Sequence, residues 1–133
     1  MGKQSSSHFE IAEEMLSDAR FNLQNDRSLR TVEDRAFYAM YHAALEALEK
    51  LDYDPSSQSS TVALFGKELV HERNLMDSDY HSMLSKYQAK RQEADYEKVF
   101  LDDKEDAKKF IEDAENFLKA VKRILPELQD EDG

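Results

Sequence analysis

TVEDRAFYAMYHAALEALEKL, running from Thr31 to Leu51, decides how this chain folds. Turned at about 100° per residue, it reads as one long helix. Phe37, Met40, Tyr41, Ala44, Ala47, Leu48 and Leu51 gather on a broad apolar side. A side of that width belongs against the chain's own core. Arg35 and His42 fall together on the opposite side, seven residues and so two turns apart. Ala39 and Glu46 share that second stripe, and Tyr38 and Ala43 flank it. The pattern predicts that the stripe points away from the core and that its alanines admit a second helix at close range. We take it as the candidate functional site, at the interface of a dimer.

An arginine and a histidine on one exposed stripe suit phosphodiester chemistry. A guanidinium grips a phosphate through two parallel hydrogen bonds and stays charged at any working pH. An imidazole titrates near neutrality and can take or give a proton. Together they fit cleavage of RNA by its own 2′-hydroxyl, with no cofactor or metal required. The leaving 5′-oxygen needs a proton donor as well, and one chain offers a single histidine on this stripe. A two-fold dimer facing two copies of the stripe supplies the second one. Glu46, one turn beyond His42, is placed to accept a hydrogen bond from the ring and raise its pKa. Tyr38, at the edge, is placed to stack a base or touch phosphate. Arg/His pairs at this spacing are also common on plain solvated faces, so spacing alone leaves that reading open.

The totals narrow the field. A length of 133 residues with 40% hydrophobic content is one domain. The absence of cysteine removes disulfides and thiolate metal sites, and fits a reducing cytoplasm. No apolar run approaches the roughly 20 residues of a membrane span, and MGKQSSSHFE lacks the apolar stretch of a signal peptide. The net charge of −11 argues against sequence-blind binding to nucleic acid, so an RNA contact must use a local basic spot.

Working outward, residues 1–6 read as a flexible tail and residues 7–125 as the helical domain. Ser7 and Glu10 have capping-box spacing ahead of a first helix from about His8 to Asn25. His8 reads only as a helix-start residue. Four polar residues, Asn25 to Ser28, allow nothing but an antiparallel neighbour. Thr31 is the expected N-cap of the second helix, and Ser59 or Ser60 that of a third, from Thr61 to Arg73. Gly66 inside that helix predicts a close helix crossing, since an interior glycine otherwise costs about 1 kcal/mol. Ser78 should cap a fourth helix reaching Tyr96, with Tyr80, Met83, Leu84 and Tyr87 inward and Arg91 paired to Asp95. Asp102 and Glu105 form a second capping box, and the fifth helix should end at Pro126, leaving 126–133 as an acidic tail. His71 and His81 flank a turn but lack a third metal ligand of obvious spacing. The expected fold is all-α, an up-and-down bundle of four to five helices.

The segment from Arg35 to Ala44 resembles the central helix of small prokaryotic HEPN domains (higher eukaryotes and prokaryotes nucleotide-binding). Thr61 to Val70 resembles that family's third-helix segment, and Arg91-Gln92-Glu93-Ala94-Asp95-Tyr96 its Arg-x-x-Ala-Asp-Tyr signature. The three matches stand in the right order and, with the amphipathic helix that follows, the resemblance covers about residues 10–125. The resemblance implies a dimerising bundle whose Arg-x(4–6)-His motif lines the dimer cleft. In active members that motif belongs to metal-independent ribonucleases, often toxins whose antitoxin is a minimal nucleotidyltransferase. Carried over, Arg35 binds phosphate and His42 is the catalytic base or acid. Ala36 departs from the pattern, because active members often carry a polar residue directly after the arginine. The alternative is a non-catalytic module that binds a nucleotide or docks the nucleotidyltransferase.

Overall fold

The computed structural model describes residues 7–93 and 103–129, and all regular structure among them is helical. Helix α1 spans His8–Gln24, α2 Leu29–Lys50, α3 Gln58–Leu64, α4 Ser78–Glu93 and α5 Lys104–Gln129. Beyond Leu64 the third helix runs on as a π-wound segment, Phe65–Glu72. Residues 94–102 lie outside the described residues, and with them the expected Arg91–Asp95 pair, the helix end at Tyr96 and the Asp102 cap.

Local chemistry sets the helix ends. Ser7 and Glu10 form the expected reciprocal box at the start of α1. The second helix begins earlier than its pattern predicts: Ser28 is the N-cap and accepts the Thr31 N–H at 3.3 Å. Thr31 thus sits inside the first turn. Ser57 caps α3 and Ser60 is its partner, in a box made of two serines. Asp77, not Ser78, caps α4 by accepting the Asp79 N–H at 2.8 Å. The Asp103 carboxylate accepts the Asp106 N–H at 3.0 Å at the start of α5. Three helices hand over to a residue of positive φ, namely Asp26, Asp52 and Asn74. Asp and Asn are the side chains that tolerate this conformation best after glycine.

The fifth helix does not stop at Pro126 but passes through it to Gln129. Proline removes one N–H and crowds the preceding turn. The last turn is held instead by Leu128, which is fully buried. The acidic 126–133 segment therefore starts as helix.

Helix α2 is central and touches every other helix. The short connection makes α1 its antiparallel neighbour, and the register is visible in the side chains: His8 meets His42, Phe9 meets Glu46, and Asp18 meets Arg35. Helix α5 also runs antiparallel to α1, tied by Arg20–Glu115 and Lys104–Asp26. Phe37, Met40, Phe65, Leu69, Leu84, Phe110 and Phe117 fill the middle with no exposed surface. Each such side chain contributes about 1.5–3 kcal/mol of transfer free energy. Gly66 delivers the expected close crossing: a Cβ there would lie 2.6 Å from the His81 ring on α4. Arg91 reaches back from α4 to Asp34 on α2 at 3.0 Å.

Candidate functional site

Helix α2 buries more of its circumference than its large side chains announce. Val32, Ala36, Ala39, Ala43 and Glu46 are buried along with Phe37, Met40 and Leu48. The stripe of Arg35, Ala39, His42 and Glu46 thus does not point away from the core. It runs along the seam with α1, and the helix that its alanines admit is the chain's own. Ala36, where a polar residue was expected of active members, has no exposed surface, so a polar group there would lack solvent. Arg35 and His42 sit at the open lip of the seam. The Arg35 side chain keeps 42% of its surface, enough for an outside phosphate to reach it.

Within the protomer the two residues have different partners. Arg35 Nε lies 3.3 Å from Asp18 Oδ2, and that carboxylate is itself largely exposed. Exposed ion pairs of this kind contribute about 0–1 kcal/mol, so a phosphate can displace Asp18. His42 Nδ1 lies 3.0 Å from His8 Nδ1, the two rings meeting edge to edge with centroids 5.2 Å apart. Partial burial and the neighbouring His8 ring hold the His42 pKa below the ordinary histidine value. The shift favours the neutral imidazole, the form a base requires.

The role expected of Glu46 is replaced by another. Its Oε1 accepts the Phe9 N–H at 3.2 Å, and Oε2 lies 3.6 Å from Lys50. The carboxylate satisfies a free N–H in the first turn of α1 and does not raise the His42 pKa. Tyr38 is half-buried against the core beside α3, its hydroxyl accepting from the Gln58 amide at 3.3 Å. Tyr41 bridges the set, edge-on to both Tyr38 and His42. Tyr38, Tyr41 and His42 thus make a continuous aromatic edge beside Arg35.

His8 is the residue that sequence reasoning missed. Its signal was available by counting. A four-residue connection fixes the antiparallel register, which sets the first turn of α1 opposite His42. A cavity of about 350 Å³ opens beside His8, lined also by Leu45, Glu49, Asp52, Tyr53, Asp54 and Pro55. Its three carboxylates repel phosphate, so an RNA backbone must approach from the Arg35 end. Tyr53, in this wall, is tied to the buried Glu68 carboxylate, and that bond is the main reason its pKa is raised. His71 is exposed and His81 packs on Gly66, so the two do not share a site. Among the described residues no three His, Asp or Glu side chains are grouped to hold a metal, and no helix is long and apolar enough to cross a membrane.

The chain is 31% identical over 119 residues to a Methanocaldococcus jannaschii protein named "Putative toxin MJ0605", covering 90% of this chain and 87% of that one. It is 26% identical over 118 residues to a Thermotoga maritima protein named UPF0332, covering 89% and 88% of the two. A Pyrococcus horikoshii protein named UPF0332 protein PH1297 is 39% identical over 64 residues, 48% of this chain and 44% of the other. The HEPN domain family model matches residues 5–124. With nearly the whole helical body matched, the chain belongs to the HEPN domain family.

Proposed function

We propose that the chain is a metal-independent endoribonuclease of toxin type, working as a homodimer with Arg35 and His42 of both copies in one cleft. The observation that carries this reading is the shared open lip of α2: Arg35 remains reachable there, and His42, two turns along it, is partly exposed with its pKa lowered toward the base form. The HEPN match over residues 5–124 and the toxin name of the Methanocaldococcus jannaschii relative support it.

The steps follow from the residue types. His42 takes the proton of a 2′-hydroxyl, and the freed oxygen attacks the adjacent phosphorus. Two Arg35 N–H groups donate to the equatorial oxygens of the phosphorane. The partner's His42, protonated, donates to the departing 5′-oxygen. The products are a 2′,3′-cyclic phosphate and a 5′-hydroxyl, and no water or metal enters the balance.

Purified protein incubated with total RNA and excess EDTA tests the proposal. Cleavage is expected from the wild type and lost in a folded His42→Ala variant; wild-type protein that leaves RNA intact contradicts it. The Asp18 carboxylate resting on Arg35 favours a second reading, a non-catalytic module that docks a minimal nucleotidyltransferase. In that case the same assay shows no cleavage, and the protein forms a stable complex with that enzyme.

A further inference from the structure

Two imidazoles with Nδ1 atoms 3.0 Å apart can share only one proton between them. Protons on both nitrogens would clash and repel. Whichever ring donates, the other accepts, and the accepting neutral ring must carry its own proton on Nε2. The contact therefore decides which nitrogen of His42 is free.

We propose that His8 is a positioning residue for His42: it accepts the His42 Nδ1–H, so that Nε2 is the one His42 nitrogen that takes up and releases a proton. The inference rests on the nuclease reading for its direction, because only a donating Nδ1 leaves a lone pair on Nε2. The same bond serves both protonation states. Neutral His42 keeps Nδ1–H and presents a bare Nε2; cationic His42 keeps Nδ1–H and gains Nε2–H. One orientation thus suits the base in one copy and the acid in the other, with no ring flip between them. The rings meet edge to edge, with planes 24° from parallel and centroids 5.2 Å apart, so an N–H lying in one ring plane points at the lone pair of the other nitrogen.

The surroundings leave this role to His8. Glu46, the nearest carboxylate on the same helix stripe, is engaged with the Phe9 N–H and Lys50. Arg35 is turned to Asp18, two turns away. Tyr41 meets His42 edge-on. Glu49, Asp52, Tyr53 and Asp54 line the cavity on the His8 side.

Histidine-ring ¹⁵N NMR on the 133-residue chain across the titration range tests this, with His8→Ala and His8→Asn beside wild type. The expected wild-type result is a His42 ring protonated at Nδ1 and bare at Nε2 above its midpoint. His8→Ala should turn it mostly to the Nε2–H form and raise the midpoint toward an ordinary histidine. His8→Asn, whose amide oxygen can accept the same proton, should keep the Nδ1–H form. A wild-type His42 carrying its neutral proton on Nε2, or one unchanged by His8→Ala, overturns the proposal. Where wild type cleaves RNA, His8→Ala should lower kcat by up to about 100-fold, the scale for a misplaced catalytic group, and move the acid limb of the pH profile to higher pH. His8→Asn should restore part of kcat. A protein that shows the expected tautomer and cuts no RNA removes the nuclease reading while leaving the His8–His42 arrangement standing.

Discussion

The molecule holds two polar pairs made from similar materials and put to different ends. His8 and His42 meet at the lip between α1 and α2, half in water. Tyr87 and Asp113 meet between α4 and α5, where the Tyr87 hydroxyl donates to the carboxylate at 2.7 Å in a buried setting. Phe110 stacks on the Tyr87 ring at 4.0 Å. Burial disfavours the charged form in both places. It pushes the Tyr87 pKa far up, aided by the bond to Asp113, so this phenol stays protonated at any working pH. It pushes the His42 pKa down from a value already near neutrality. The same physics yields an inert brace in one region and a group poised to exchange protons in the other. What separates them is the starting pKa and the access of water.

The largest effect is expected at the lip. His42→Ala should reduce RNA cleavage by about 100-fold or more, the range for loss of a general base, while the melting temperature stays close to wild type. Tyr87→Phe should do the reverse. It strips Asp113 of a buried donor, so urea unfolding should show a loss of about 1–3 kcal/mol with the cleavage rate unchanged. A cleavage defect in the tyrosine variant would mean that the two regions are coupled.

A finer contrast concerns pH. His42 has a folded-state pKa below its unfolded value, so the unfolded chain binds more protons in the window between them. Stability should therefore fall as pH drops from about 6.5, the ordinary histidine value, through the folded pKa. His42→Gln should flatten that part of the profile, whereas Tyr87→Phe should leave its shape unchanged. Smallest of all, Asp18→Asn should change stability by no more than about 1 kcal/mol, as for exposed ion pairs. It should also tighten binding of a non-cleavable RNA modestly, because it frees Arg35 and removes a negative charge.

The bundle was legible because its helices carry large apolar residues at clear spacing. Phe110, Phe117, Val121 and their neighbours announce the buried face of α5 directly. Gly66 announced its crossing, because nothing larger fits beneath His81. The side of α2 on which Arg35 and His42 lie was misread for the opposite reason. Ala39 and Ala43 bury little area, so they add almost nothing to a periodicity signal even when fully enclosed. Periodicity gives angles around one helix but not which angle meets a neighbour. Contact between His8 and His42 is a matter of register between two helices, which residue spacing within one helix does not carry. Pro126 misled because its local rule was outweighed by burial of Leu128 two residues on.

On the proposed function, two copies of the α2 lip build one cleavage centre, one His42 acting as base and the other as acid. Mixing wild-type and His42→Ala protein in varied ratios, re-equilibrating the dimers and measuring RNA cleavage tests it most directly. If both histidines are needed in one cleft, activity follows the square of the wild-type fraction, and an equal mixture retains about a quarter. Activity falling in simple proportion, with about half retained in dimers shown to have exchanged, would mean that each copy works alone and would contradict the account.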